Sequence, residues 1–164
     1  MTLEKFIEMV NDKQPPAPES ELLAFEKALG ARLPDDYREF LIECNGGFLG
    51  GMLWFVGPTP TGEKADAGVH HIGGFRQESY FSLIKIRSCY EGRIPDALLW
   101  IMDDPFGNAI CLGLQGESRG RVYFWDHENE PEGNWDGKVD SGGDLQILAN
   151  TFTEFVAGLQ VNES

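Results

Sequence analysis

The chain has 164 residues and a formal net charge of −14, from 13 Lys and Arg against 27 Asp and Glu. That length suits one hydrophobic core rather than two, and 41% hydrophobic with 12% aromatic content excludes a disordered chain. The acidity argues against nucleic acid and anionic membrane as partners, since both need basic surface. It favours a basic protein partner whose approach is electrostatically steered.

No apolar run approaches the roughly 20 residues of a membrane span. Met1-Thr2-Leu3-Glu4-Lys5 lacks the basic-then-apolar layout of a signal peptide. The three cysteines, Cys44, Cys89 and Cys111, are odd in number and form no CxxC or metal-like spacing. The expectation is a cytoplasmic protein with three buried or half-buried thiols and no disulfide framework.

Leu3, Phe6, Ile7 and Val10 fall at helical spacing, which predicts a helix over Thr2 to Asn11 with Thr2 as its cap. Pro15, Pro16 and Pro18 force an extended connection. Glu19 to Leu29 carries a one-sided apolar stripe and stops at Gly30. A third helix starts with Pro34 at its first position and Asp35 and Asp36 on its positive end, and stops at Asn45-Gly46-Gly47. Gly46, Gly47, Gly50 and Gly51 make a weak phosphate cradle, because they follow a helix rather than open one.

Met52 to Val56 reads as a strand, and Gly57 to Tyr80 as a long polar excursion or mobile element. The latter contains His70-His71. On a regular strand the two rings point to opposite faces, a poor chelate. Phe81 to Tyr90 reads as a helix and Leu98 to Met102 as a buried strand. Ile101 to Glu128 then holds short β-prone runs, Ala109 to Leu114 and Arg121 to Trp125, separated by the turns Asp103-Asp104-Pro105-Phe106-Gly107-Asn108 and Gln115 to Gly120. This is a β-meander and the expected centre of a sheet. An acidic loop, Asp126 to Asp136, leads to a last helix capped by Asp144, in which Leu145, Leu148, Ala149, Phe152, Phe155, Val156 and Leu159 share one face. The architecture expected is α+β: one domain over 1–164, with helices at both ends packed on a central sheet.

The chemistry-bearing residues are sparse. Asp126-His127-Glu128 beside Asp103-Asp104 is the most enzyme-like group, and a metal-dependent hydrolase would use His127 with these acids. No nucleophile motif accompanies it. Trp54, Trp100 and Trp125 lie in strand patterns. Trp135 stands among acids, as an interface anchor or folded back on the sheet edge.

The ordered set Leu33-Pro34-x-x-Tyr37-x-x-Phe40-Leu41, Asn45-Gly46-Gly47, Arg93-Ile94-Pro95, Phe106-Gly107-Asn108, Gly120-x-Val122-Tyr123-Phe124-Trp125-Asp126-His127-Glu128 and Phe152-x-x-Phe155 resembles the SUKH superfamily. The branch in question includes the yeast cell-wall-synthesis regulator and many bacterial proteins. The resemblance runs from Glu19 to Leu159. It implies a curved, mainly antiparallel sheet with helices packed on it and no catalytic residues. From the residues themselves, no cofactor and no metal is expected. For bacterial members it implies immunity proteins that bind and neutralise polymorphic toxins of nuclease or deaminase type; for fungal members, signalling scaffolds. A basic toxin domain is therefore the expected partner, and a general interaction scaffold the alternative. The expected partner-binding face is the acidic loop, Asp126, Glu128, Glu130, Glu132, Trp135 and Asp136, bordered by Asp103 and Asp104.

Overall fold

The computed structural model describes residues 1–16, 18–76, 81–129 and 144–162. Its elements follow as α1 (Leu3–Met9), α2 (Glu19–Leu29), α3 (Asp35–Glu43), β1 (Gly47–Phe55), β2 (Ala67–Ile72), α4 (Leu83–Cys89), β3 (Leu98–Asp103), β4 (Ala109–Gly113), β5 (Val122–Trp125), β6 (Leu145–Ala149), α5 (Phe152–Ala157) and β7 (Leu159–Val161). The architecture is α+β, as expected.

Local chemistry sets the early helices. The Thr2 side chain accepts a hydrogen bond from the Lys5 N–H at 3.3 Å and caps α1. Helix α2 stops at Gly30, whose φ of 76° is left-handed and whose N–H donates to the Glu26 carbonyl at 2.9 Å. Pro34 sits one position earlier than expected, at the cap, and α3 begins at Asp35. A bidentate pair ties α2 to α3: Arg38 Nε donates to Glu26 Oε1 at 2.7 Å, and Nη2 to Oε2 at 3.2 Å. The same Oε1 accepts the Leu33 N–H at 3.0 Å. Burial pushes the Glu26 carboxyl up, but the Arg38 and Leu33 hydrogen bonds and the Arg38 charge together hold it below its ordinary value.

The seven described strands form one sheet in the order β6-β5-β4-β3-β2-β1-β7, every pairing antiparallel. Strands β6 and β7, at opposite edges, are joined directly through α5. Six inter-strand spacings make a flat sheet roughly 29 Å wide. The connection through α5 reaches at most about 25 Å. The sheet therefore curves, and α5 straps its concave side. Phe155 of α5 stacks on Phe55 of β1 at 5.6 Å, and Phe152 meets Tyr37 at 5.1 Å and Phe40 at 5.0 Å. Phe40 also stacks on Phe6 of α1 at 5.5 Å, so α1, α3 and α5 close one core.

Thr151 caps the strap. Its side chain accepts from the Glu154 N–H at 3.1 Å, while Glu154 Oε2 accepts from the Asn150 N–H at 3.0 Å. Thr151→Ala is expected to lower unfolding stability by ~1 kcal/mol. Urea denaturation checks it, the midpoint falling at an unchanged slope.

Three expectations are corrected. Residues 145–149 form β6, not the start of a helix, because β5 leaves an open edge that Leu145–Ala149 fills through Val122↔Ala149 and Trp125↔Leu145. Long-range pairing overrides the helical period there, and only Phe152–Ala157 is helical. The stretch expected as one excursion, Gly57 to Tyr80, is not one: β2 lies within it, between β1 and β3, and residues 77–80 lie outside the described residues. The connection of β2 to β1 is tied to the far edge, the Lys64 carbonyl accepting from Gln146 Nε2 at 2.8 Å. Finally, Cys44 and Cys111 are buried but Cys89 is exposed on α4.

Candidate functional site

Between β3 and β4 the chain makes a turn wound around one carboxylate. Asp104 is only 3% exposed. Its Oδ1 accepts the N–H groups of Phe106 and Asn108, each at 2.8 Å, and its Oδ2 accepts Asn108 Nδ2 at 2.9 Å. Gly107 takes φ of 91°, a left-handed conformation that suits glycine. Asn108 passes the connection on: its Oδ1 accepts the His127 N–H at 3.2 Å and lies 2.7 Å from His127 Nδ1. An amide oxygen only accepts, so this contact places the His127 proton on Nδ1. The turn is thereby fastened to the short 3-10 turn His127–Asn129 after β5.

This locked turn presents Phe106, which is 67% exposed. The half-buried Trp54 of β1 lies 6.3 Å from its ring. Pro105 packs over Gly68, where an added Cβ would stand 3.2 Å from Pro105 Cδ. A large apolar ring on a rigid turn has little conformational entropy left to lose on docking, the property of an interface anchor.

The expected partner face is distributed as follows. Glu128 is exposed on the 3-10 turn. Asp126 is half-buried and its carboxylate caps that turn, accepting the Glu128 N–H at 2.9 Å and Asn129 Nδ2. Asp104 shapes the Phe106 turn instead of bordering a surface, because its carboxylate is buried and fully engaged. Asp103 faces another way, towards β2. Glu130, Glu132, Trp135 and Asp136 lie outside the described residues. Phe106 itself was not singled out from the sequence. The available signal was a Phe inside the turn Asp-Asp-Pro-Phe-Gly-Asn, where no strand or helix period buries it.

The two histidines do not diverge as a regular strand would make them. Phe48 pairs with His71 and Leu53 with Val69, so β1 advances five residues while β2 advances two. The pairing skips His70, and the pleat is lost there. Both rings turn to Asp103: His71 Nδ1 lies 3.1 Å from each carboxylate oxygen and His70 Nδ1 lies 3.8 Å from Oδ1. Asp103 Oδ1 also accepts the His71 backbone N–H at 2.8 Å. Phe81 stacks on His71 at 4.1 Å, and Phe48 lies 5.0 Å from His70 and 5.3 Å from His71.

The hydrolase constellation around His127 does not converge among the described residues. Asp103 belongs with His70 and His71, Asp104 with Asn108, and Asp126 with its own turn. Burial pushes the Cys44 thiol up to about 12, against a small opposing effect of Lys13, and raises Cys111 as well, so both stay protonated near neutrality. A cleft of about 390 Å³ lies beside α4, lined by Ile84, Arg87, Tyr90, Ile94 and Trp100 among others. Its Arg87 donates to the Leu29 and Asp96 carbonyls at 3.0 and 3.3 Å, and so ties α4 to the end of α2 and to the segment before β3. No helix among the described residues is long and apolar enough to cross a membrane.

Comparison with known proteins matches residues 16–158 to the model of the SMI1 / KNR4 family (SUKH-1). The chain is 28% identical over 153 residues to the SPbeta prophage-derived protein YokK of Bacillus subtilis (strain 168), covering 85% of this chain and 72% of that protein. A crystal structure of a protein from Pseudomonas syringae pv. tomato shares the fold with a TM-score of 0.51 at 17% identity, over 82% of this chain and 87% of the other.

Proposed function

Because the chain belongs to the SMI1 / KNR4 (SUKH-1) family, we propose that it is a non-enzymatic protein-binding domain acting as a cytoplasmic immunity protein. In this reading it holds a basic toxin domain stoichiometrically and blocks its active cleft. One observation carries the reading: Phe106, 67% exposed, stands on a turn fixed by the buried Asp104. Exposed Glu128 lies on the neighbouring turn, which the Asn108–His127 contact joins to it. An apolar anchor beside acidic groups, on a chain of net charge −14, suits a basic partner with an apolar notch. The anchor supplies residence time and the charge supplies approach rate.

Co-purification from the source organism at low and moderate salt, read by mass spectrometry, tests the proposal. One dominant basic partner, weakened by salt, is the expected result. A spread of housekeeping partners would favour a general scaffold instead. With the partner in hand, Glu128→Lys is expected to slow association by roughly 3–10-fold at low salt, with dissociation little changed. Stopped-flow mixing measures both, and raised salt is expected to shrink the difference.

A further inference from the structure

We propose that His70, His71 and Asp103 bind a divalent transition-metal ion, with Zn2+ the best match. One ligand atom from each of the three lies within 4.8 Å of the others. A tetrahedral ion bonded at about 2.0–2.1 Å holds neighbouring ligand atoms roughly 3.3–3.5 Å apart. The observed spacings of 3.1 Å from His71 Nδ1 to Asp103 and 3.8 Å from His70 Nδ1 to Asp103 bracket that value. Small rotations of the two rings bring the set to bonding geometry.

The donor set chooses the metal class. Two imidazoles and one carboxylate suit Zn2+, Co2+ or Ni2+, whereas Ca2+ and Mg2+ require oxygen ligands. Three protein ligands leave a fourth position for water or for a group brought by a partner. The side chains are 29%, 24% and 23% exposed, so an ion has a route in. Phe81 and Phe48 stand against the imidazole rings and limit their swing.

The backbone already prepares the site. The irregular β1–β2 pairing turns adjacent side chains to one side. The His71 N–H holds Asp103 Oδ1 at 2.8 Å and fixes the carboxylate before any ion arrives. In the empty site the His71 Nδ1–H donates to the carboxylate. On binding, the Nδ1 proton passes to solvent while Nε2 takes one up from solvent, so the ring stays neutral and the Nδ1 lone pair is free for the ion. Two neutral imidazoles and one carboxylate offset half of the ion's charge, and the net charge of −14 favours the remainder.

Isothermal titration of the metal-free protein with Zn2+ is the test, with Co2+ as a spectroscopic probe. The expected result is one ion per chain, a raised melting temperature, and a visible Co2+ absorption of tetrahedral intensity. His70→Ala deletes a ligand but no hydrogen bond among the described residues. Asp103→Asn keeps an oxygen for the His71 N–H. Each variant is expected to fold and to weaken binding by at least about tenfold, while His127→Gln leaves it unchanged. Absence of binding at millimolar Zn2+, binding that survives in folded His70→Ala, or an equal loss in His127→Gln overturns the proposal.

Discussion

Glu26→Gln is expected to destabilise the protein by ~3–5 kcal/mol, because it leaves the Arg38 guanidinium buried without its bidentate partner. Glu26 is 7% and Arg38 9% exposed, so water replaces little of what is lost. The effect falls towards the lower end of that range, since Glu19 Oε1 remains 3.6 Å from Arg38 Nη1. The Leu33 N–H keeps an acceptor if the Gln oxygen takes the place of Oε1. Urea denaturation at neutral pH measures the loss. The pair also makes a pH prediction. The Glu26 carboxyl is held below its ordinary 4.5, so the folded state binds fewer protons there than the unfolded chain. The stabilisation is fully present above 4.5 and disappears as the pH falls through the folded-state value. In Glu26→Gln that component of the acid limb is absent, and its stability varies less with pH below 4.5 than that of the unmutated protein. A parallel acid limb in both proteins would contradict the assignment.

Asp104→Ala is the second large effect, ~2–4 kcal/mol, and it links stability to the candidate site. The substitution removes three accepted hydrogen bonds, two of them from the backbone N–H groups of Phe106 and Asn108. The Asn108 side chain then loses the partner that orients it towards His127. Hydrogen exchange is expected to speed up at the Phe106, Asn108 and His127 amides more than in the core strands. If a partner docks on Phe106 as proposed, its affinity is expected to fall beyond what the smaller folded fraction explains, because the ring must be ordered at the moment of docking. Asp104→Asn keeps one oxygen acceptor and is expected to fall between the two.

The elements that were legible carry their own boundaries. Glu19–Leu29 is bounded by Pro18 before it and left-handed Gly30 after it, so its range is local information. The β3–β4–β5 meander is similarly announced by Asp103-Asp104-Pro105-Phe106-Gly107-Asn108 and by the Gly-containing turn that follows β4. Strand β6 was not legible, because what makes Leu145–Ala149 a strand is the open edge of β5, some twenty residues earlier. Strand β2 was hidden by its own composition: Gly68, His70 and His71 interrupt the apolar alternation that marks a strand.

The candidate site divides the same way. Asp126 and Glu128 could be placed on a turn from their neighbours alone. The setting of Asp104 depends on Asn108, which is itself held by a histidine 19 residues beyond it. The His71–Asp103 contact spans 32 residues and exists because of an irregular strand pairing that no local pattern encodes. Phe106 illustrates the opposite case, a large apolar residue left out of the buried faces, which a search for buried periodicity passes over.

The proposed docking of a partner on the Phe106 turn rests on that exposed ring. The most direct measurement is the dissociation constant of the purified complex with the unmutated protein and with Phe106→Ala, beside the melting temperature of each. The ring is already exposed, so the substitution is expected to leave the melting temperature within about 2 °C. It is expected to weaken the complex by ~2 kcal/mol, roughly 30-fold, mainly through faster dissociation. An unchanged dissociation constant in a folded Phe106→Ala would place the contact elsewhere on the molecule and contradict the account.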